Sequence, residues 1–213
     1  ANRLGSNSLS EICVFGKVAG EQAARHARAA PAANASRLMQ QAQAAQQQAL
    51  KLRGTQGSER LSQLRREMAQ TMENGCGIYR TGEGMQATCD KLAELRERYT
   101  RVRVDDRSSV FNTEWLLAIE LGYQLEVAQA MAVSALNRRE SRGAHQRLDG
   151  FTTRDDANFL KHTLAVSAGA DPPSISYGEV RITHSPPGVR AYGAAGEAAD
   201  AASKAQTREA GAR

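Results

Sequence analysis

Arg3, Gly5 and the run Ser6-Asn7-Ser8 place a guanidinium and several unpaired backbone N–H groups where a helix begins, an arrangement suited to holding an anion. The plainer alternative is an exposed arginine beside an ordinary capped helix. A second candidate is Arg138 to His145, RRESRGAH, where basic residues and a histidine stand at the end of a long helix and a glycine turns the chain. It reads either as a charged C-cap or as a surface that docks another domain or an anionic ligand. The remaining chemistry-bearing residues are scattered. His26, His145, His162 and His184 stand apart, Cys13, Cys76 and Cys89 form no CxxC pair, and no metal site is expected. The chain contains no dinucleotide fingerprint, P-loop, zinc-protease motif or nucleophile elbow, so no catalytic residue is assigned within it.

These residues need elements to position them, and the apolar spacing supplies mainly helices. SLSE at Ser8–Glu11 has capping-box spacing, and Ile12, Phe15, Val18, Ala19 and Ala23 predict a helix over 8–29. Pro31 and Asn34 break it. A second, Ala- and Gln-rich helix with a thin apolar stripe is expected over 36–53. Leu61, Leu64, Met68 and Met72 mark a third, which Asn74 and Gly75 should end as a left-handed cap. A fourth helix over 84–99 turns Met85, Leu92, Leu95 and Tyr99 inward and Glu94, Arg96, Glu97 and Arg98 to solvent. The longest starts at a Thr113 N-cap and ends near Ser141. Its apolar residues spread so widely that it should be buried on several sides, with Gly122 loosening it midway. Phe111, Trp115 and Tyr99 read as core aromatics. Residues 36–141 form an antiparallel helical bundle on this reading. Beyond Gly150 the period becomes alternating, with two short strands through Leu160, His162, Leu164 and Val166 and through Ile175, Tyr177, Val180 and Ile182, closed by Pro186 and Pro187. The expected class is α+β, mainly α. The tail over 193–213 carries almost no large apolar residue and is expected to be flexible.

Bulk properties exclude more than they assign. Of 213 residues, 41% are hydrophobic and 24% charged, and no apolar run approaches the roughly 18 residues of a membrane span. The net charge of +5 is spread along the chain and aromatics make up only 5%, which argues against a nucleic-acid partner. Three separated cysteines fit a reducing compartment, and no signal-peptide pattern is present. The opening NRLGSNSL, a polar turn with no strand before it, reads as a chain entered midway.

The segment ANRLGSNSLSEICVFGKVAGEQAA at 1–24 resembles the end of the flavin-binding domain in the succinate dehydrogenase and fumarate reductase flavoprotein family. GCGIYR at 75–80, DKLAELRERY, SSVFNTEWLLAIELG at 108–122, ESRGAHQRLD at 140–149 and RDDANFLKHTLA at 154–165 continue in family order. The resemblance covers about residues 1–192, and the wording of FNTEWLLAIELG and NFLKHTL is nearer fumarate reductase.

The resemblance implies four segments: the last part of an FAD-binding domain at 1–30, a helical bundle at 31–141, a small α+β unit at 142–192 and the tail. It implies that Arg3 binds a carboxylate of fumarate or succinate, that Ser8 and Leu9 touch the flavin ring, and that Arg142 and His145 lie at a contact between domains. The implied complex adds an iron–sulfur subunit and membrane anchors, and places the chain peripherally on the cytoplasmic face of the bacterial inner membrane. The dinucleotide fingerprint, flavin-linking histidine, capping domain and proton-donating arginine of the family have no counterpart in this chain, so alone it is expected to be inactive. Two other readings stay open: a succinate dehydrogenase flavoprotein working in reverse, and a non-enzymatic helical scaffold.

Overall fold

The computed structural model describes residues 7–169 and 171–183; Arg3, Pro186, Pro187 and the 193–213 tail lie outside the described residues. The chain divides into a unit at 1–178 and a second at 179–213, and the account below concerns the first. The fold is mainly α with small sheets.

Helix α1 spans Asn7–Ala29 and α2 spans Ala35–Arg53, the latter capped by Asn34, whose Oδ1 accepts the Arg37 N–H at 3.0 Å. Neither builds the core. No residue of α2 is buried, and Leu9, Ile12, Phe15 and Val18 of α1 are all exposed. The core belongs to three later helices, α3 (Leu61–Cys76), α4 (Gly82–Tyr99) and α5 (Thr113–Asn137). Leu61 and Leu64, then Met85, Leu92 and Leu95, then Ala118, Leu121, Leu125, Ala128 and Ala132 recur at three- and four-residue steps and are buried. Each fully buried Leu contributes about 1.5–3 kcal/mol, which α1 and α2 forgo within this chain.

Short strands fix how the three helices run. β1 (Glu59–Arg60), just before α3, pairs in parallel with β3 (Val102–Arg103), just after α4, so the start of α3 lies beside the end of α4. β2 (Tyr79–Arg80), between α3 and α4, pairs in parallel with β4 (Gln146–Arg147), beyond α5. Successive helices of the core are therefore antiparallel. A single turn α6 (Asp156–Phe159) then leads to β5 (Lys161–Ala168), which pairs with β6 (Asp171–Glu179); Val180 and Ile182 fall beyond the strand in which they were expected.

Several expectations are corrected. Gly75 does not end α3 in a left-handed cap: it lies inside the helix, buried, and the helix runs on to Cys76. A Cβ at Gly75 would sit 1.9 Å from Thr88 Oγ1 and 2.6 Å from the Gly84 carbonyl oxygen, so the glycine is there to let α3 and α4 touch. The N-cap of α5 is Asn112, whose Oδ1 accepts the Trp115 N–H at 2.7 Å, and the helix stops at Asn137. Gly122 does not loosen α5. It makes room for the Tyr99 ring, whose hydroxyl donates to the Ala118 carbonyl at 2.8 Å.

Arg98 is not on a solvated face either. It donates to Glu59, Glu67 and Glu94 and joins β1, α3 and α4. Those bonds from Arg98 outweigh the cost of burial and hold the Glu67 carboxyl down at about 2. Phe111 is no core aromatic, being 97% exposed on a left-handed backbone of φ 52°. Trp115 and Tyr99 do pack against the core. Finally, α5 is buried on one side only; Leu116, Tyr123, Val127 and Met131 face outward.

The crowding at Gly75 predicts that Gly75→Ala lowers the unfolding free energy by about 1–3 kcal/mol through overpacking. Gly16→Ala in α1, where an added Cβ meets nothing within 4 Å, should be neutral or slightly stabilising. Urea denaturation followed by far-ultraviolet circular dichroism checks both; equal effects would mean the α3–α4 approach is not the constraint.

Candidate functional site

Two places carry the residues singled out by sequence. The first is the amino end of α1. Ser8 lies there half-buried and Leu9 exposed, and the first turn holds no acidic residue while His26 and Arg28 occupy the last. The positive end of the helix dipole lies there, and no acidic residue of the first turn offsets it. Arg3 lies outside the described residues.

The second place is the turn after α5. At Arg138 the backbone leaves the helix in an extended conformation, which lets Glu140 point inward, where it is fully buried. Arg138 and Arg142 flank it. Glu140 Oε1 accepts from Arg138 Nη1 at 2.5 Å and from Arg142 Nε at 2.8 Å, while Oε2 accepts from Arg142 Nη2 at 3.0 Å and the Asp155 N–H at 2.9 Å. Burial alone would push this carboxyl up, but donation from Arg142, the Asp155 N–H and Arg138 outweighs it and holds the group below its usual range.

Residues Arg142 to His145 form a tight turn, each end donating its N–H to the other's carbonyl at 2.9 and 3.0 Å, with Gly143 at φ 60°. Glycine adopts that left-handed conformation without steric cost. The turn delivers the His145 ring inward, between Arg80 Nη1 at 2.9 Å from Nδ1 and the Arg138 carbonyl at 3.0 Å from Nε2. A guanidinium can only donate and a carbonyl only accept, so His145 is neutral with its proton on Nε2. Burial lowers its pKa first of all, and the nearby Arg80, Arg147 and Arg138 charges lower it further, against the bond to the Arg138 carbonyl.

Arg147 closes the other side. Its guanidinium meets Asp149 through two bonds of 2.7 and 2.6 Å, and Asp149 Oδ2 also accepts the Gly82 N–H at the start of α4 at 2.5 Å. These bonds hold the Asp149 carboxyl well below the ordinary carboxylate range. Arg138 reaches the other way, donating to the Phe159 and Lys161 carbonyls and to Thr163 Oγ1 at 2.9, 2.8 and 2.9 Å. The structure thus brings Arg142 and His145 into one network with Glu140, Arg80, Arg138, Arg147, Asp149 and Asp156. Sequence reading had marked the stretch Arg138 to His145 and, through the family resemblance, singled out Arg142 and His145; Arg80, Arg147, Asp149 and Asp156 it had not named as site residues. Glu140, set among Arg138, Arg139 and Arg142, was the available signal: a lone acid within two residues of three arginines is a candidate for a shared ion pair.

Arg80, Arg138, Arg142 and Arg147 each donate to partners within the chain, which suits a fixed scaffold. Among the described residues no three His, Cys, Asp or Glu side chains are grouped to hold a metal, and no helix is long and apolar enough to cross a membrane.

The chain belongs to the family described as fumarate reductase flavoprotein C-term, whose model matches residues 65–192. It is 54% identical over 207 residues to the fumarate reductase flavoprotein subunit of Serratia sp. (strain ATCC 39006), covering 97% of this chain and 35% of that protein. Its likeness to the succinate dehydrogenase flavoprotein subunit of Coxiella burnetii is lower, 38% identity over 167 residues, covering 77% of this chain and 28% of that protein. Among solved structures, a mutated Escherichia coli quinol fumarate reductase FrdA chain superposes with a TM-score of 0.83 and 55% identity over 87% of this chain and 32% of its own. The chain spans about a third of the length of the curated relatives it matches.

The neutral His145 fixes a pH dependence. Its folded pKa lies below the ordinary 6.5, so stability is full above that value and falls as the pH drops from 6.5 towards the folded pKa, because the unfolded chain takes up the proton first. This loss precedes that caused by protonating Glu140 and Asp149, which begins only in the carboxylate range. His145→Asn should abolish the upper part of the decline in urea titrations between pH 7 and 5 while leaving the lower part. Glu140→Gln, which removes the buried charge that Arg138 and Arg142 both face, should cost about 3–5 kcal/mol at pH 7.

Proposed function

We propose that this chain serves as the carboxy-terminal part of a fumarate reductase flavoprotein subunit, which reduces fumarate to succinate in anaerobic respiration. The observation that carries the reading is the higher identity to fumarate reductase than to succinate dehydrogenase flavoproteins, sustained over nearly the whole chain. The division of labour follows the four segments: 1–30 completes the FAD-binding domain, 31–141 forms the helical bundle, 142–192 the small α+β unit and 193–213 a tail.

The residues at the amino end of α1 fit a flavin. The first turn lacks acidic side chains, the dipole is positive there, and Leu9 offers 71% of its surface. Bound FAD supplies the redox chemistry by passing a hydride equivalent to the substrate. Ser8 and Leu9 would hold the flavin at this helix end, where negative charge is favoured. Arg3 is the substrate-binding residue: its planar guanidinium pairs with one carboxylate of the dicarboxylate through two parallel bonds and fixes its orientation. Arg142 and His145 support the contact with the flavin domain from the Gly143–Ala144 turn, at which the Arg142 side chain keeps 27% exposure.

Electrons reach the flavin from quinol through an iron–sulfur subunit and membrane anchors. The chain acts on the cytoplasmic face of the inner membrane, attached through these partners. In the full enzyme carrying this sequence, Arg3→Lys keeps the charge and loses the bidentate geometry. The expected result is a roughly ten- to hundredfold fall in kcat/KM for fumarate, equivalent to the about 1.5–3 kcal/mol of a charged hydrogen bond. Unchanged steady-state turnover would remove Arg3 from the substrate site.

A further inference from the structure

β2 and β4 are two residues each, and their pairing ties the α3–α4 connection to the chain beyond α5. The Gln146 N–H donates to the Ile78 carbonyl at 3.2 Å and the Leu148 N–H to the Arg80 carbonyl at 2.9 Å. Two backbone bonds do not hold a strand pair in water, where the solvent offers equivalent partners. Apolar burial adds little on the β2 side, since Ile78 and Tyr79 are exposed. Side chains must therefore close the pair. Two of them span it: Asp149 accepts the Gly82 N–H just beyond β2, and His145, just before β4, faces Arg80 Nη1 across 2.9 Å.

Only the second tie responds to protons near neutrality. Asp149 keeps its charge, because the bonds from Arg147 and the Gly82 N–H hold its carboxyl far down. His145 uses its two ring nitrogens in opposite senses: Nε2–H donates to the Arg138 carbonyl, and Nδ1 accepts from a guanidinium that can only donate. A second proton has to go on Nδ1, where it sets donor against donor and cation against cation. The charged groups around the ring are Arg80 from β2, Arg138 from the end of α5 and Arg147 from β4, all positive. The acids of the same network are already taken, Glu140 by Arg138 and Arg142, Asp149 by Arg147, and Asp156 by Arg142 and Arg154. Cys76 of α3, within the field of Arg80, stays a neutral thiol because burial pushes it up. His145 is 9% exposed, so water does little to offset a charge in place.

We propose that His145 is a proton-operated latch: a proton taken up from solvent on Nδ1 expels the Arg80 guanidinium and opens the β2–β4 pair with the Arg142–His145 turn, while the leucine core stays closed. Arg80 is only half-buried and has water to move into. The core holds no histidine, and His26 and His162, on α1 and β5, are exposed. The Arg98 cluster beside the core is indifferent in the same range, because Glu67 is held at about 2. The open ring takes its proton at about 6.5, whereas burial and then the charges of Arg80, Arg147 and Arg138 push the closed ring lower. Closure is therefore at full strength above about 6.5 and weakens by up to about tenfold per pH unit below it, until the closed ring is protonated too. All these groups lie within this chain, so the latch does not rest on the fumarate reductase reading.

Hydrogen–deuterium exchange of the full enzyme carrying this sequence tests the latch, read by mass spectrometry between about pH 7.5 and about pH 5.5 and corrected for the intrinsic pH dependence of exchange. The amides of Arg142, His145, Gln146 and Leu148, which donate across the turn and the strand pair, should lose protection by up to about tenfold per pH unit below about 6.5. Those of Glu59 and Val104, which donate around the β1–β3 pair, should keep theirs. His145→Asn, which cannot take up the proton, should leave all four flat. Arg80→Met, which removes the cation facing Nδ1, should at least halve the pH-dependent loss. Unchanged protection of the four amides across the whole range overturns the latch, and so does an equal loss at Glu59 and Val104, which would be unfolding of the whole chain. A loss as steep in both variants as in the unsubstituted enzyme assigns the proton to another group and also overturns it. The unsubstituted profile decides the first two outcomes even where a variant fails to assemble.

Discussion

The Glu140 carboxylate, fully buried between Arg138 and Arg142, is the constraint on which the second half of the chain depends. A charge in that position is tolerable only because four N–H donors from three residues converge on it, and those residues tie the end of α5 to the start of α6 and to β5. Arg138 spends its remaining hydrogens on the carbonyls leading into β5. Arg142 continues to Asp156 at 2.6 Å, at the start of α6. The Asp155 N–H fixes the same turn from the other side. One buried acid thus sets where α5 stops, how the Gly143 turn closes and where the hairpin is hung.

A second centre, at Arg98, does the same work for the first half at lower stakes. Its three carboxylate partners lie on β1, α3 and α4, and both ends of each pair keep some contact with water, so the screening is greater and the net stabilisation per pair smaller. The apolar core between α3, α4 and α5 supplies most of the stability, and the Arg98 cluster selects which ends of the helices meet. Specificity of arrangement comes from charge, and depth of stability from leucine.

The helices were legible because their apolar residues recur at the spacing of a helix turn. Bounds for α1 and α2 are matched within a residue, and the two strands were placed soundly between Lys161 and Glu179, whereas Leu160, expected in the first, caps α6. What failed has a common cause. Gly75 and Gly122 look like breakers in one dimension, whereas in three dimensions they are contact points for Thr88 and Tyr99. Phe111 looks like core by residue type, yet the hydrogen bonds of Asn112 and Glu114 decide its placement. α5 looks buried all round because its sequence is apolar all round, while this chain covers only one side. At the candidate site, the family wording pointed to Arg142 and His145, but the ring's protonation and its ties to Arg80 and Arg138 depend on partners from β2 and the end of α5, which no local pattern reveals.

The paired bridges β1–β3 and β2–β4 also set an order of events. The first joins segments separated by one helical hairpin and can close as soon as α3 and α4 meet, whereas the second waits for the whole of α5 to be in place. Loop-closure entropy opposes the second more than the first. Glu140 and His145 lie on the late side of that sequence. Their burial therefore depends on the longer-range of the two closures and, through it, on α5 being docked against α4, so the ionisable groups of the second half share the fate of the leucine core.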